Sequence, residues 1–125
     1  FGYGLSYTSF AYSNLVVTPN RQNSQGNIEV TVDVTNNGSR KGDEVVQLYV
    51  KDRISSVITY ETQLRGFERI SLQPGEKKTV KFLLQPDDLA ILDKDMNWTV
   101  EPGEFEVRVG SSSEDIRLKQ SFFIN

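Results

Sequence analysis

Paired carboxylates are the residues whose spacing could do chemistry. The pairs are Asp87/Asp88, Asp93/Asp95 and Glu104/Glu106. Two carboxyl groups held about 5–10 Å apart in a cleft can divide acid and base work across a glycosidic bond. Each of these pairs instead falls in a turn or on a hydrophilic strand face beside Lys and Arg, which predicts solvated surface. A second pattern resembles a calcium loop. Asp93, Asp95, Asn97, Glu101 and Glu104 sit at positions 1, 3, 5, 9 and 12 of the EF-hand template. Trp98 stands where that template needs glycine, and Pro102-Gly103 breaks the exiting helix. The segment therefore predicts a β-hairpin, with Asp93 to Asn97 turning and Trp98 to Val100 returning. Ser111-Ser112-Ser113 offers hydroxyl nucleophiles after Gly110, but no motif poises a His or Lys base beside them, and the run reads as a turn between strands. The expectation is no catalytic residue, no metal site and no cofactor.

What the composition lacks narrows the field further. The 125 residues hold no histidine and no cysteine. That excludes a Ser-His-Asp triad, a thiol nucleophile, a disulfide scaffold and a zinc–thiolate site. A net charge of −3 argues against a nucleic-acid partner, which usually meets a basic face. No apolar run approaches the roughly 20 residues that span a bilayer, so no membrane partner is expected. The chain opens on Phe1, carries its sole methionine at Met96 and shows no signal peptide at its start. These features predict a segment of a longer polypeptide. Its aromatic residues concentrate at the N-terminus, as Phe1, Tyr3, Tyr7, Phe10 and Tyr12, with Tyr49, Tyr60, Phe67 and Trp98 elsewhere. Such rings either stack on sugars or pack against a neighbouring domain, and packing is the favoured reading. Asn37-Gly38-Ser39 and Asn97-Trp98-Thr99 match the N-glycosylation pattern, which matters only in a secreted eukaryotic protein.

The elements that position these residues are strands. Ile28, Val30, Val32 and Val34 alternate with Glu29, Thr31, Asp33 and Thr35, the period of a strand with one buried face. Val46, Leu48 and Val50 oppose Val45, Gln47, Tyr49 and Lys51. Val80, Phe82 and Leu84 repeat the pattern, as do Phe105, Val107 and Val109, then Ile116, Leu118, Phe122 and Ile124. Asn36-Asn37-Gly38-Ser39, Gln73-Pro74-Gly75-Glu76 and Glu101-Pro102-Gly103-Glu104 read as turns, because Asn and Gly tolerate positive φ and Pro presets the second turn position. About seven strands follow, at 9–18, 28–36, 44–51, 63–71, 77–85, 103–110 and 115–124. A short piece is expected near 97–100, and at most a helical turn within 86–93. The fold class is all-β, a two-sheet sandwich or barrel.

Ordered blocks along the chain resemble a known domain. They are Phe1-Gly2-Tyr3-Gly4-Leu5-Ser6-Tyr7-Thr8, then Val34 to Val50 (VTNNGSRKGDEVVQLYV), Leu64-Arg65-Gly66-Phe67-Glu68-Arg69-Ile70, Leu72-Gln73-Pro74-Gly75-Glu76, and Glu101 to Ser112 (EPGEFEVRVGSS). Together they resemble the C-terminal fibronectin type III-like domain of family 3 glycoside hydrolases, the β-glucosidase and β-xylosidase family. The resemblance implies an immunoglobulin-like sandwich of about seven strands appended to catalytic domains upstream in the same chain. Those domains would perform retaining hydrolysis of β-glycosides. Neither family catalytic carboxylate has a counterpart here, so no catalytic position is transferred. Many members carry Arg-Pro where this chain has Ile58-Thr59-Tyr60-Glu61, which leaves the shape of the 52–62 loop open. The expected organisation is an interdomain docking segment over 1–12, carrying Phe1, Tyr3, Tyr7 and Phe10, and the sandwich over 13–125. The expected role is a non-catalytic accessory domain in the periplasm or outside the cell. Its partners would be the upstream catalytic domains, with an oligosaccharide near their interface. A carbohydrate-binding module is the alternative, disfavoured because the outer strand faces carry Thr, Glu, Lys and Arg, with Tyr49 the lone aromatic. A protein-interaction module that dimerises the parent is the third reading.

Overall fold

Ile28, Val30, Val32 and Val34 are wholly buried along one side of a strand, and the same inward rows recur down the chain. The computed structural model describes residues 9–23, 25–52, 63–92, 95–100 and 102–125. Its strands are β1 (Phe10–Thr18), β2 (Arg21–Gln22), β3 (Ile28–Asn36), β4 (Gly42–Asp52), β5 (Gln63–Leu72) and β6 (Lys77–Leu84). After a single helical turn, α1 (Pro86–Leu89), come β7 (Ile91–Leu92), β8 (Trp98–Thr99), β9 (Gly103–Ser112) and β10 (Asp115–Ile124). One sheet has the order β1-β3-β6 and the other β2-β10-β9-β4-β5, while β7 and β8 form a separate hairpin. Pairing within the two sheets is antiparallel, apart from the short parallel β2–β10 contact.

The two inner faces meet in one core. Val30 and Val32 of β3 lie opposite Phe82 and Val80 of β6, and Leu48 and Val50 of β4 lie opposite Val109 and Val107 of β9. Phe105 and Phe122 stack at its centre with centroids 5.4 Å apart. Each large side chain buried there stabilises the fold by roughly 1.5–3 kcal/mol, so these rows alone dictate which strand faces turn inward.

Local devices end the strands. Gly75 takes φ +80 in the Pro-Gly turn, as the sequence predicts, and Glu76 Oε1 accepts from the Gln73 N–H at 2.8 Å. At the β9–β10 hairpin a Cβ on Gly110 would lie 2.0 Å from the Asp115 carbonyl oxygen, so only glycine permits the bulge there. The Asn36–Ser39 turn works differently from its expected use of positive φ. Its backbone stays at negative φ, and the buried Asn36 side chain holds it. Nδ2 donates to the carbonyls of Arg40 (2.8 Å) and Leu72 (3.0 Å), while Oδ1 accepts from the Gly38 N–H at 2.9 Å. This one amide carries the chain from the first sheet to the second. In β1 a bulge at Asn14, at φ +53, shifts the register between Ser13 and Val16. Asn14 Nδ2 and Thr79 Oγ1 both donate to Asp33, tying β1, β3 and β6 together across the outer face. Those two hydrogen bonds hold the Asp33 carboxyl below its ordinary range, the Asn14 contact contributing most.

Candidate functional site

The first described residues are held by side chains distant in sequence. Ser9 Oγ donates to Asn37 Oδ1 at 2.6 Å, and the Ser9 carbonyl accepts from the Asn37 N–H at 3.0 Å. One residue on, the Phe10 carbonyl accepts from Arg117 Nη1 at 2.9 Å. Phe10 itself is buried in the core, and Phe10 to Tyr12 pair with Asn36 to Val34. The sandwich therefore begins inside the stretch that the sequence assigned to docking, with Ser9 at its threshold.

Behind this anchor lies a half-buried polar cluster where β1 crosses to β4 and β10. Tyr12 Oη donates to Glu44 Oε2 at 2.9 Å, and the Arg117 guanidinium sits 5.4 Å from the Tyr12 ring centroid. Arg117 Nε donates to Asp115 Oδ1 at 2.8 Å, and Ser111 Oγ also donates to Asp115. Burial pushes the Tyr12 phenol well above its ordinary value, reinforced by the Glu44 charge beside it. Burial also raises the Glu44 carboxyl, against the lowering by the Tyr12 hydrogen bond and the Arg117 charge. The hydrogen bond from Arg117, seconded by Ser111, holds Asp115 low, and the same bond raises Arg117. At neutral pH these groups form a fixed neutral-donor, carboxylate and guanidinium set. Each is committed to another member of the cluster or to backbone, an arrangement suited to clamping the lead-in strand.

The other sequence-predicted candidates disperse. Asp88 Oδ2 accepts from the Gln85 N–H at 2.8 Å and caps α1. Glu104 accepts from Ser121 Oγ at 2.9 Å. Glu106 departs from the expected solvated surface: it is only 9% exposed and pairs with Arg108 Nε at 2.5 Å. The β7–β8 hairpin forms with Leu92 opposite Trp98, as predicted, and Asp95 and Asn97 lie between its strands. Among the described residues no group of three or more acidic, His or Cys side chains could hold a metal ion. Phe1, Tyr3, Tyr7, Tyr60, Asp93, Glu101 and the segment Ile58 to Glu61 lie outside the described residues. Sequence reasoning missed the pairing of Tyr12 with Glu44 and Arg117, because 32 positions separate Tyr12 from Glu44 and no local period reports such contacts.

The outer face of the five-stranded sheet also differs from its expected hydrophilic character. Tyr49, read as an exposed aromatic, is only 8% exposed, flanked by Leu64 on β5 and Arg108 on β9. Beside it Phe67, Leu64 and Val45 are 69%, 46% and 37% exposed. They share the outward row that Gln47–Phe67, Tyr49–Leu64 and Val45–Arg69 pairing sets.

A three-stranded sheet packed over a larger, mainly antiparallel one defines an immunoglobulin-like sandwich. The family model of the fibronectin type III-like domain matches residues 44–113, and the chain belongs to that family. Among its relatives, a β-xylosidase of Formosa agariphila is 49% identical over 95% of this chain. A protein of Salmonella typhimurium described as a periplasmic β-glucosidase is 41% identical over 98%. The structure of a β-glucosidase from Erythrobacter marinus superimposes with a TM-score of 0.91 at 38% identity, covering 100% of this chain. This chain spans 16% of each of these three proteins. The resemblance read from the sequence blocks, to the fibronectin type III-like domain of family 3 glycoside hydrolases, thus holds, as does the all-β sandwich.

Proposed function

We propose that the sandwich is a non-catalytic accessory domain that stabilises a larger family 3 β-glycosidase. The rest of that polypeptide would hydrolyse O-glycosyl bonds of β-glucosides or β-xylosides with retention. The observation that carries this reading is the share of length: relatives bearing β-xylosidase and β-glucosidase names are about six times longer than the part this chain matches. The local chemistry supports it, because Asp33, Glu44, Asp88, Glu104, Glu106 and Asp115 are engaged in caps, ion pairs and strand ties. Residues 1–9 lead into the sandwich, and Phe1, Tyr3 and Tyr7 are the side chains we assign to packing on the upstream catalytic domains. Phe10, buried in the core, couples that segment to the sandwich. An oligosaccharide bound near the interface and a homodimer of the parent are compatible partners. A relative described as periplasmic supports a location in the periplasm or outside the cell.

The test uses the 125-residue chain and the complete polypeptide side by side. Both are offered an aryl β-glucoside, an aryl β-xyloside and insoluble glucan and xylan. The reading expects turnover by the complete polypeptide only, with no retention of the short chain on either polysaccharide. Retention of the short chain on glucan or xylan would replace it with a carbohydrate-binding role.

A further inference from the structure

The two sheet margins that face each other at β5 and β6 are protected differently. β5 and β6 are the edge strands of their sheets, and edge strands of soluble proteins carry charge or are covered. β6 follows that rule: Lys77, Thr79 and Lys81 stand in its outer row before Leu83, and Lys78 reaches Glu68 on β5. β5 carries charge at one end, where Asp43 binds Arg69 at 2.7 Å and Ser71 at 2.6 Å, and a single Arg65, bonded to Gln63, near the other. Its outer row also holds the exposed Phe67 and Leu64, with Val45 on β4 opposite Arg69. A ten-residue edge strand with an apolar outer row is an aggregation hazard in an isolated domain.

We propose that Phe67, Leu64 and Val45 form a second docking face, and that its occupant is an apolar surface on the upstream part of the same polypeptide. The occupant follows from the amount of chain elsewhere. This domain is about one-sixth of its relatives' length, so a covalently joined surface is present at high effective concentration. The lead-in is clamped at the β1 margin by Asn37 and Arg117, on the side of the sandwich away from β5. Contacts at both margins fix orientation as well as position, which a single tether does not do. The inference rests on the accessory-domain reading and adds to it the surface that sets the domain's orientation.

The experiment places a thiol reporter at the face, in the complete polypeptide, which has no cysteine of its own in this domain. Phe67→Cys is compared with Leu83→Cys, a control on the outer face of the other sheet that is 53% exposed. Labelling by a small maleimide is read for both, under native conditions and after denaturation. We expect Phe67→Cys to label at least about tenfold more slowly than Leu83→Cys in the native state, and equally when denatured. Equal native rates overturn the proposal. Slow labelling that disappears on dilution also overturns it, because the occupant is then a second copy. A second variant, Phe67→Ser with Leu64→Ser, is expected to lower the melting temperature of the complete polypeptide, while Leu83→Ser leaves it unchanged. Turnover of an aryl β-glycoside, measured in parallel, tests the accessory-domain reading by itself, so either idea can fail alone.

Discussion

Replacing Tyr12 by Phe deletes one atom from the clamp and leaves the ring in place. The lost contact is the 2.9 Å hydrogen bond from the phenol to Glu44, a carboxylate acceptor in a half-buried site. Hydrogen bonds to charged groups contribute about 1.5–3 kcal/mol, and partial exposure reduces this to roughly 1–2 kcal/mol. Unfolding entropy of about 2.1 cal/mol/K per residue then gives a melting point lowered by roughly 4–8 °C for a chain of this length. The pH dependence is the sharper signature. Tyr12 ionises above the ordinary tyrosine value in the folded state, chiefly through burial. Its contribution is therefore complete below about pH 10 and is lost as pH rises past that value. Phe has nothing to ionise. The stability gap between the two proteins should be equally wide at pH 7 and 9 and should narrow as pH rises above about 10. Urea unfolding followed by circular dichroism at pH 7, 9 and 11 measures it. A gap that stays constant or widens with pH would refute the assignment of Tyr12 as a buried neutral donor.

Substitutions at two further positions test the frame. Asn36→Ala removes three hydrogen bonds, one of them to the Leu72 carbonyl at a buried site, and should cost about 2–4 kcal/mol. Asn36→Asp should be worse at pH 7, because a carboxylate then faces two carbonyl oxygens. That loss should shrink as acid protonates the new carboxyl, and urea titrations at pH 7 and 4.5 read the difference. Val32→Asp places a charge at a wholly buried position between two sheets, and calorimetry should find no cooperative melt.

The sequence made the strands legible wherever one face is buried and the other wet. β3 is the clearest case, since Ile28, Val30, Val32 and Val34 alternate without a break and all prove buried. β6 and β9 follow the same period, so their inward rows were also correct. The period fails where the outer face is not wet. Tyr49 and Glu106 point outward by alternation, yet cross-strand neighbours cover them, and alternation assigns a side without assigning its exposure. The β1 bulge was hidden because Asn14 serves equally well in a turn or at positive φ within a strand. The Asn36 turn was located correctly but for a different physical reason, since a side-chain amide replaces the special backbone conformation. The clamp itself was illegible: Arg117 meets Phe10 and Tyr12 only after β10 has folded against β1. Nothing in the local pattern around either residue encodes that meeting.

We propose that this sandwich is held to the rest of its polypeptide through the N-terminal aromatic segment. The most direct measurement is differential scanning calorimetry of the complete polypeptide with Phe1, Tyr3 and Tyr7 all replaced by Ser. A lower first transition is expected, with the sandwich melting separately from the remainder. A thermogram identical in midpoint and in number of transitions to that of the unaltered polypeptide would contradict it.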